Sequence, residues 1–448
     1  MENRVEPVPT HQEPIEKILV PFQKFLKAQA TGGIILLVCT VVALVWANSP
    51  WGDSYTAVWQ TKLTVGAGGF TLSKPLLIWI NDALMAVFFF VVGLEIKREI
   101  LVGELASRRQ AALPIAAAVG GMVVPATIYA VLNFGSEGTR GWGVPMATDI
   151  AFSLGILTLL GSRVPVSAKV FLTALAIVDD IGAAVVIAVF YTDEISVLSL
   201  AIGAGFLVAM IVANRIGVRT SLVYAILGAG LWLAFLKSGV HPTIAGVLAA
   251  FTIPARVRIN AAEFLDRSTA YLVGFRRAGA SGQSVLTSKE QRGALEALET
   301  ACTHAETPLQ RLEHKLYPWV TFFIMPVFAL ANAGVTIDGG AAGSLTNAVA
   351  FGIIAGLVIG KQVGITLFSW LAVKAGFAEL PSGLTWLHVY GIGWLGGIGF
   401  TMSLFVANLA FGDSALLSVA KVGILTASLI AGIGGWVVLS RCKKRPRF

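Results

Sequence analysis

Charge is scarce in this chain. Asp, Glu, Lys and Arg together make up 13% of its 448 residues, against about 25% in a typical soluble domain. The apolar set AVILMFWYC makes up 56%, and the mean hydropathy is +0.78. Too few charges are available to keep the surface of a folded chain of this size wet. The composition excludes an ordinary soluble enzyme and a disordered chain, and it predicts a polytopic α-helical membrane protein.

Cysteine is rare as well. Cys39, Cys302 and Cys442 lie far apart and are odd in number. This pattern excludes a secreted domain held together by disulfides and gives no zinc-site spacing. The five histidines show no metal-ligand spacing either, so we expect no resident metal or cofactor.

Long apolar runs are abundant. A helix needs about 20 mostly apolar residues to cross the hydrocarbon core. Twelve runs qualify, of which the eighth is short: about 31–49, 76–96, 111–133, 143–161, 167–191, 195–213, 221–237, 241–254, 317–335, 346–373, 387–411 and 415–440. Between the first two, residues 61–72 alternate apolar and polar around glycines, which predicts a small external β-hairpin.

These runs divide the chain into five parts. Residues 1–30 are polar and charged, which predicts a cytoplasmic N-terminal segment without a cleaved signal peptide. Transmembrane helices 1–8 fill 31–254 and helices 9–12 fill 317–440. A long charged cytoplasmic loop spans 255–316, and 441–448 is a basic cytoplasmic tail. From Ser288 the loop has the pattern of a capped, weakly amphipathic helix.

The positions of Lys and Arg predict the orientation. If the N-terminus is cytoplasmic, 27 of the 33 basic residues fall in inside segments, as the positive-inside rule requires. An even number of spans with both termini inside is therefore expected. The formal net charge of +8 then reflects basic loops that face anionic lipid of the bilayer, and no nucleic-acid partner is indicated.

A few charges lie inside the apolar runs. Asp149 is in the fourth, Asp179 and Asp180 are in the fifth, and Lys361 is in the tenth. A charge at this depth is costly and marks a functional site by default. Asp82 lies nearer the outer end of the second run, where interfacial capping is an equally good interpretation.

The Asp179–Asp180 pair has a structural and a functional interpretation. A buried salt bridge between helices explains at most one of the two, because adjacent helical residues point about 100° apart. One aspartate can face Lys361 while the other faces a water-filled cavity. Neighbouring carboxylates in a low dielectric repel each other, so the site is expected to bind a proton or a small cation. This is the chemistry of cation/proton exchange.

Two segments resemble each other. Residues 150–157 read IAFSLGIL and residues 398–405 read IGFTMSLF. The fourth and eleventh spans run in opposite directions, and interrupted helices at matching places in inverted repeats are typical of a transporter's midplane site. Asp149 and Lys361 would then offset the charges of the half-helix ends. Thr148 and Thr401 are candidate partners for freed backbone groups, although threonines in helix packing are equally common.

Three other functions stay open on these residues alone. A sodium-coupled symporter would take up an organic solute, and a membrane-embedded hydrolase would cleave substrate without an ion gradient. The chain lacks the GxGD motif of intramembrane aspartyl proteases. A passive channel is disfavoured by buried charges that must be neutralised in each cycle.

Seven segments together are characteristic of one family: WINDALMAVFFFVVGLEIKREI, GWGVPMATDIAFSLGIL, ALAIVDDIGAA, LKSGVHPTIAGV, LEHKLYPWVTFFIMPVFALANAGV, GKQVGI and GGIGFTMSLF. Through them the chain resembles the bacterial NhaA sodium/proton antiporters from about residue 20 to residue 440. The resemblance implies a twelve-span protein of the bacterial inner membrane, with inverted repeats and crossed, interrupted fourth and eleventh helices.

The resemblance also implies an ion site. By the family pattern Asp180 is the principal cation-binding carboxylate and Asp179 its companion, so Na+ would bind at these two residues. Asp149 and Thr148 match a cation-site and dipole-compensating pair, and Lys361 matches the compensating lysine. The implied activity is electrogenic export of Na+ or Li+ against H+, activated at alkaline pH, by a homodimer that joins through the hairpin near 61–72.

The resemblance further implies residues that respond to pH: Glu95, Arg98, Glu99, His241, Glu313 and His314. For His241 a plain solvated or capping role is the alternative interpretation. Tyr317 stands where the best-known family member has a histidine, and the 255–316 loop is far longer than in that member. These two departures leave the activation pH open.

Overall fold

The computed structural model describes residues 29–67, 70–192, 195–279, 288–336, 345–412 and 414–442. Helices dominate these residues. The predicted N-terminal segment 1–30 and basic tail 441–448 lie almost entirely outside the described residues, and so does the stretch 280–287 of the predicted loop.

The helices follow one another with short connections. In chain order they are α1 (Gln29–Ala47), α2 (Gly52–Gln60), α3 (Leu76–Val102), α4 (Arg108–Leu132), a 3₁₀ helix (Glu137–Met146), α5 (Ile150–Leu159), α6 (Val166–Phe190), α7 (Val197–Arg215), α8 (Ser221–Leu236), α9 (Thr243–Thr252), α10 (Ala261–Gly279), α11 (Lys289–Ala305), α12 (308–332), α13 (Ala348–Lys374), α14 (Trp386–Gly396), α15 (Phe400–Phe411) and α16 (Ala415–Ser440).

Six of these helices are long and apolar enough to cross a membrane by themselves: α3, α4, α6, α7, α13 and α16. Three helix pairs are apolar enough together but bend at a short break. The bend is 113° between α1 and α2, 42° between the 3₁₀ helix and α5, and 44° between α14 and α15. The apolar helices α8 and α9 are shorter. The described residues thus form a polytopic helical membrane protein, as the composition predicted.

The predicted β-hairpin is present. Strand β1 (Lys62–Ala67) pairs antiparallel with β2 (Phe70–Pro75), in a register that sets Lys62 opposite Pro75. The hydroxyls of Thr64 and Ser73 lie 2.8 Å apart across the ladder. The second strand runs past the predicted end at residue 72 and leads directly into α3.

Most of the described part of the 255–316 segment is helical. Helices α10 and α11 pack against each other, and α11 begins at the predicted position, where the Ser288 hydroxyl accepts a hydrogen bond from the N–H of Gln291. Helix α12 begins at residue 308, inside the segment predicted as a loop. Its amphipathic first turns precede a π-helical turn, Val320–Ile324, that joins them to the apolar remainder.

Close packing of α4 on α13 positions the buried lysine. A Cβ atom added to Gly364 would lie 2.1 Å from the carbonyl oxygen of Gly120, so glycine is needed for the two backbones to approach this closely. Lys361 lies one turn before Gly364 and its side chain passes beside Gly121. The packing therefore leads the ammonium of Lys361 into the interior, where the residue is 0% exposed.

Candidate functional site

Two of the three bent pairs, the 3₁₀ helix with α5 and α14 with α15, are in contact at their breaks. The 3₁₀ helix ends at Met146 and α5 begins at Ile150, while α14 ends at Gly396 and α15 begins at Phe400. The backbone N–H of Asp149 donates to the carbonyl of Ile398 at 2.7 Å, so one break is hydrogen-bonded to the other. A helix break inside a membrane frees backbone groups that need new partners.

Serine hydroxyls satisfy several of these freed groups. Ser153 on α5 donates to the carbonyl of Leu395 at 2.8 Å, and Ser403 on α15 donates to the carbonyl of Val144, also at 2.8 Å. Each hydroxyl thus binds a carbonyl beside the break of the other bent pair, near the end of that pair's first helix. These serines lie inside the two similar segments, but the sequence comparison did not single them out.

Asp149 caps two helices. Its Oδ1 accepts from the N–H of Phe152 at 3.0 Å, in the first turn of α5. Its Oδ2 accepts from the N–H of Thr401 at 3.2 Å and from the Thr401 hydroxyl, in the first turn of α15. Helix N-termini carry partial positive charge. One fully buried carboxylate therefore offsets the positive ends of both half-helices.

Asp179 pairs with the buried lysine. Its Oδ2 lies 2.5 Å from Lys361 Nζ, and both side chains are fully buried. The Thr148 hydroxyl lies 2.6 Å from the same oxygen and 2.8 Å from the carbonyl of Gly396, and it donates to one of them at a time. Asp179 Oδ1 has no hydrogen-bond partner in the described part of the chain.

Asp180 faces a cavity instead. The cavity has a volume of about 330 Å³, and Asp180 and Asp149 both line it. Asp180 is only 4% exposed, yet among the described residues no hydrogen bond reaches its carboxylate. Asp179 faces Lys361 and Asp180 faces the cavity, which is the arrangement that the 100° offset between neighbouring helical residues predicts.

The same cavity reaches a cluster of charges. Arg98 lies 2.7 Å from Glu99, 3.1 Å from Glu313 and 3.9 Å from Glu95. Burial raises the pKa of Glu313 and the Arg98 guanidinium opposes that rise. Glu95, Arg98 and Glu313 line the cavity, so water can connect this cluster to Asp180.

The remaining candidates lie apart from the Asp179–Lys361 pair. His314 is exposed, one position beyond Glu313, and Tyr317 lines the cavity. His241 is placed elsewhere: its Nε2 is 3.8 Å from Asp82 Oδ1, and its Nδ1 is 2.8 Å from the Thr243 hydroxyl. Asp82 lies on a π-helical turn near the start of α3.

Comparison with known proteins identifies close relatives. The family model described as Na+/H+ antiporter 1 matches residues 23–439. The protein named Na(+)/H(+) antiporter NhaA from Oleidesulfovibrio alaskensis is 56% identical, over 95% of either chain. That from Koribacter versatilis is 51% identical over 96% of this chain and 93% of the relative. The protein named Na(+)/H(+) antiporter NhaA 2 from Syntrophotalea carbinolica is 50% identical over 95% of this chain and 97% of the relative.

Proposed function

Because this chain belongs to the NhaA family of Na+/H+ antiporters, we propose that it extrudes Na+ or Li+ in electrogenic exchange for H+. Its relatives carry the name of sodium/proton antiporters, and sodium and proton exchange is the activity we infer for this chain. It would act in sodium and pH homeostasis as a secondary transporter rather than as an enzyme.

The placement of Asp180 carries the proposal. An almost fully buried carboxylate that lines a cavity, without a hydrogen-bond donor among the described residues, is available to a proton or a small cation. The oxygens of Asp149 that cap two helices are already engaged, and Asp179 is bound to Lys361. Asp180 is therefore the principal cation-binding carboxylate, and Asp179 is its companion once Lys361 releases it.

Protons and cations compete for these oxygens. When the cytoplasmic pH is high, Asp180 loses its proton to the cavity and a cation takes its place. The helices around the breaks then move, the site opens to the other side, and a proton displaces the cation. Alternating access of this kind needs a site between two movable units. The hydrogen bond between the breaks of the two bent pairs supports placing the site there.

Electrogenic exchange requires more than one proton for each cation. Two groups at the site can carry a proton: the Asp180 carboxylate and the Lys361–Asp179 pair, in which Lys361 holds the proton. If both release their protons when a cation binds, each cycle moves net positive charge inward. Asp149 and Thr148 complete the site by fixing the half-helix ends and by supplying a hydroxyl to Asp179.

The proposed setting is the bacterial inner membrane. The family, the six long apolar helices, the three bent pairs, the short helices α8 and α9 and the apolar part of α12 support a twelve-span architecture. The bent pairs at residues 147–149 and 397–399 are its interrupted, crossed helices. Both termini are cytoplasmic in this proposal, which rests on the distribution of Lys and Arg.

The charge cluster at the cavity is the proposed pH-responsive region. Glu95, Arg98, Glu99 and Glu313 are in contact there, and His314 follows Glu313 on the same helix. A change in protonation would alter the ion pairs around Arg98 and hence the entry to Asp180. His241, beside Asp82, is a separate candidate on another part of the molecule.

The decisive experiment replaces Asp180 with Asn. In everted vesicles or proteoliposomes, Asp180→Asn should abolish proton movement driven by Na+ or Li+, because the amide cannot alternate between a proton and a cation. Asp266→Asn, on the exposed surface of α10, is the matched control and should exchange like wild type. Near wild-type exchange by Asp180→Asn would refute the assignment.

A further inference from the structure

Three asparagines from three helices form a hydrogen-bonded group apart from the ion site, which we call the asparagine triad. Asn81 lies on α3, Asn332 ends α12 and Asn408 lies on α15. Asn332 Nδ2 donates to Asn81 Oδ1 at 2.9 Å and to the carbonyl of Phe328 at 3.0 Å. Its Oδ1 accepts from Asn408 Nδ2 at 3.1 Å and from Asn81 Nδ2 at 3.4 Å. The buried amide of Asn332 thus uses both its donors and both its acceptor positions.

The triad lies beyond the end of the cavity where the lining residues are buried, whereas Tyr317 at the other end is exposed. Along each of the three helices, six or seven positions separate the last cavity-lining residue from the asparagine: Phe88 and Asn81, Met325 and Asn332, Met402 and Asn408. This spacing corresponds to about 10 Å of helix. The triad therefore lies on the side of the ion site opposite the cavity mouth, which is the extracellular side in the proposed orientation.

On two of the three helices an aromatic residue lies between the cavity and the triad. Phe328 comes between Met325 and Asn332, and Phe405 comes between Met402 and Asn408. The ring of Phe405 lies 5.6 Å from that of Phe89 and 6.2 Å from that of Phe328, between centroids. These rings come from the same three helices as the asparagines. Apolar rings exclude water but impose little directional constraint, whereas hydrogen bonds between amides fix the relative positions of the helices that carry them.

Helix α15 connects the ion site to the triad. Its first turn binds Asp149 through Thr401, and Asn408 follows seven positions later on the same helix. Helix α15 packs mainly on the 3₁₀ helix and α16, and it touches α12 in few places. The hydrogen bond from Asn408 to Asn332 therefore spans the sparse contact between α15 and α12, whereas the bonds of Asn81 join α3 to α12.

We propose that the Asn408–Asn332 hydrogen bond of the asparagine triad is a latch that keeps the outer side of the ion site closed, and that this bond breaks when the site opens outward. This inference rests on the proposed exchange function. Weakening the latch raises the population of the outward-open state while the ion ligands stay the same. If that state is the minor one, the apparent affinity for external Na+ rises in proportion to its population, and the apparent affinity from the cytoplasm stays nearly constant.

The test compares the two sides of the membrane. The KM for Na+ is measured with Asn408→Ala in right-side-out vesicles, which present the outer side, and in everted vesicles, which present the cytoplasmic side. Loss of one hydrogen bond should lower the external KM about two- to tenfold and leave the cytoplasmic KM unchanged. Asn81→Ala is the matched control: it removes bonds between α3 and α12 but not the bond to Asn408, so the ratio of the two KM values should equal that of wild type.

The outcomes separate the latch from the function. If wild type exchanges Na+ and H+ but Asn408→Ala leaves the KM ratio unchanged, or changes both values by the same factor, the latch is refuted and the function stands. If wild type does not exchange these ions, the proposed function itself fails. Should Asn408→Ala not fold, Asn408→Ser, which keeps a small polar side chain but is too short to reach Asn332, is expected to shift the external KM in the same way.

Discussion

Lys361 Nζ lies 2.5 Å from Asp179 Oδ2, with neither side chain exposed. A lone ammonium or carboxylate at this depth is several kcal/mol less stable than in water, so each charge is retained because the other is present. Asp180, the next residue along the chain, has no such partner among the described residues. Neighbouring aspartates thus have different chemistry because the helix turns them to different surroundings.

Removing Lys361 should be far more harmful than removing both charges. Lys361→Met leaves Asp179 as an unpaired buried carboxylate and should lower the free energy of unfolding by about 3–5 kcal/mol. The double variant Asp179→Asn, Lys361→Met should recover most of this loss, because two neutral side chains need no compensation. Unfolding of the purified protein in detergent measures both. Lys374→Met, at the exposed end of the same helix, is the control, and a double variant as unstable as the single one would contradict the argument.

Two substitutions of Asp149 should separate the contributions of its charge and of its hydrogen bonds to the free energy of unfolding. Asp149→Asn keeps an oxygen that can cap α5 but loses the charge that offsets two helix ends, so a loss of about 1–2 kcal/mol is expected. Asp149→Ala also loses the caps and should lose a further ~1 kcal/mol or more. The same unfolding measurements rank the variants. Equal stability of the Asn and Ala variants would mean that the cap on α5 contributes nothing.

Helical geometry explains what the sequence predicted at the site. The opposed directions of Asp179 and Asp180 follow from 3.6 residues per turn, which is a local property. The capped start of α11 at Ser288 and the external hairpin are local in the same sense. For this reason they could be predicted without knowing which helices are neighbours.

Contacts between distant residues were not predictable in this way. Asp149 caps α15 by accepting a hydrogen bond from the N–H of Thr401, which is 252 positions away in the chain. The hydropathy of a sequence carries no information about such pairs. Helix α12 begins before its predicted span because its first turns contain charged residues such as Glu313. Those turns are helical, but they are not part of an apolar run. The asparagine triad was not predicted, because the prediction of buried functional residues relied on charged side chains inside apolar runs and asparagine is neutral.

The stability of the protein should depend on pH through Glu313. Burial raises the pKa of this carboxyl above its usual 4.5, against the opposing effect of Arg98. The folded state therefore binds the proton more tightly than the unfolded state does. The contribution to stability is complete below pH 4.5 and is lost as the pH rises through the raised pKa.

Glu313→Gln should flatten this part of the pH profile. Unfolding midpoints of wild type and variant, measured from pH 4.5 upward, should differ in slope, with wild type losing more stability as the pH rises. Glu379→Gln, which removes an exposed glutamate paired with Arg109, provides the comparison and should keep the wild-type slope. Parallel profiles for wild type and Glu313→Gln would rule out this linkage.

The β-hairpin is expected to join the two copies of the homodimer that the family resemblance implies. Leu63 and Val65 are 47% and 52% exposed, and alternate strand residues point to one face, so β1 presents an apolar surface that suits a second copy of the hairpin. Leu63→Lys together with Val65→Lys should convert a dimer into a monomer in size-exclusion chromatography with light scattering, because facing copies would bring like charges together. Thr64→Lys, on the opposite face of the same strand, should leave the dimer intact. A dimer that survives the double lysine variant would show that its interface lies elsewhere on the protein.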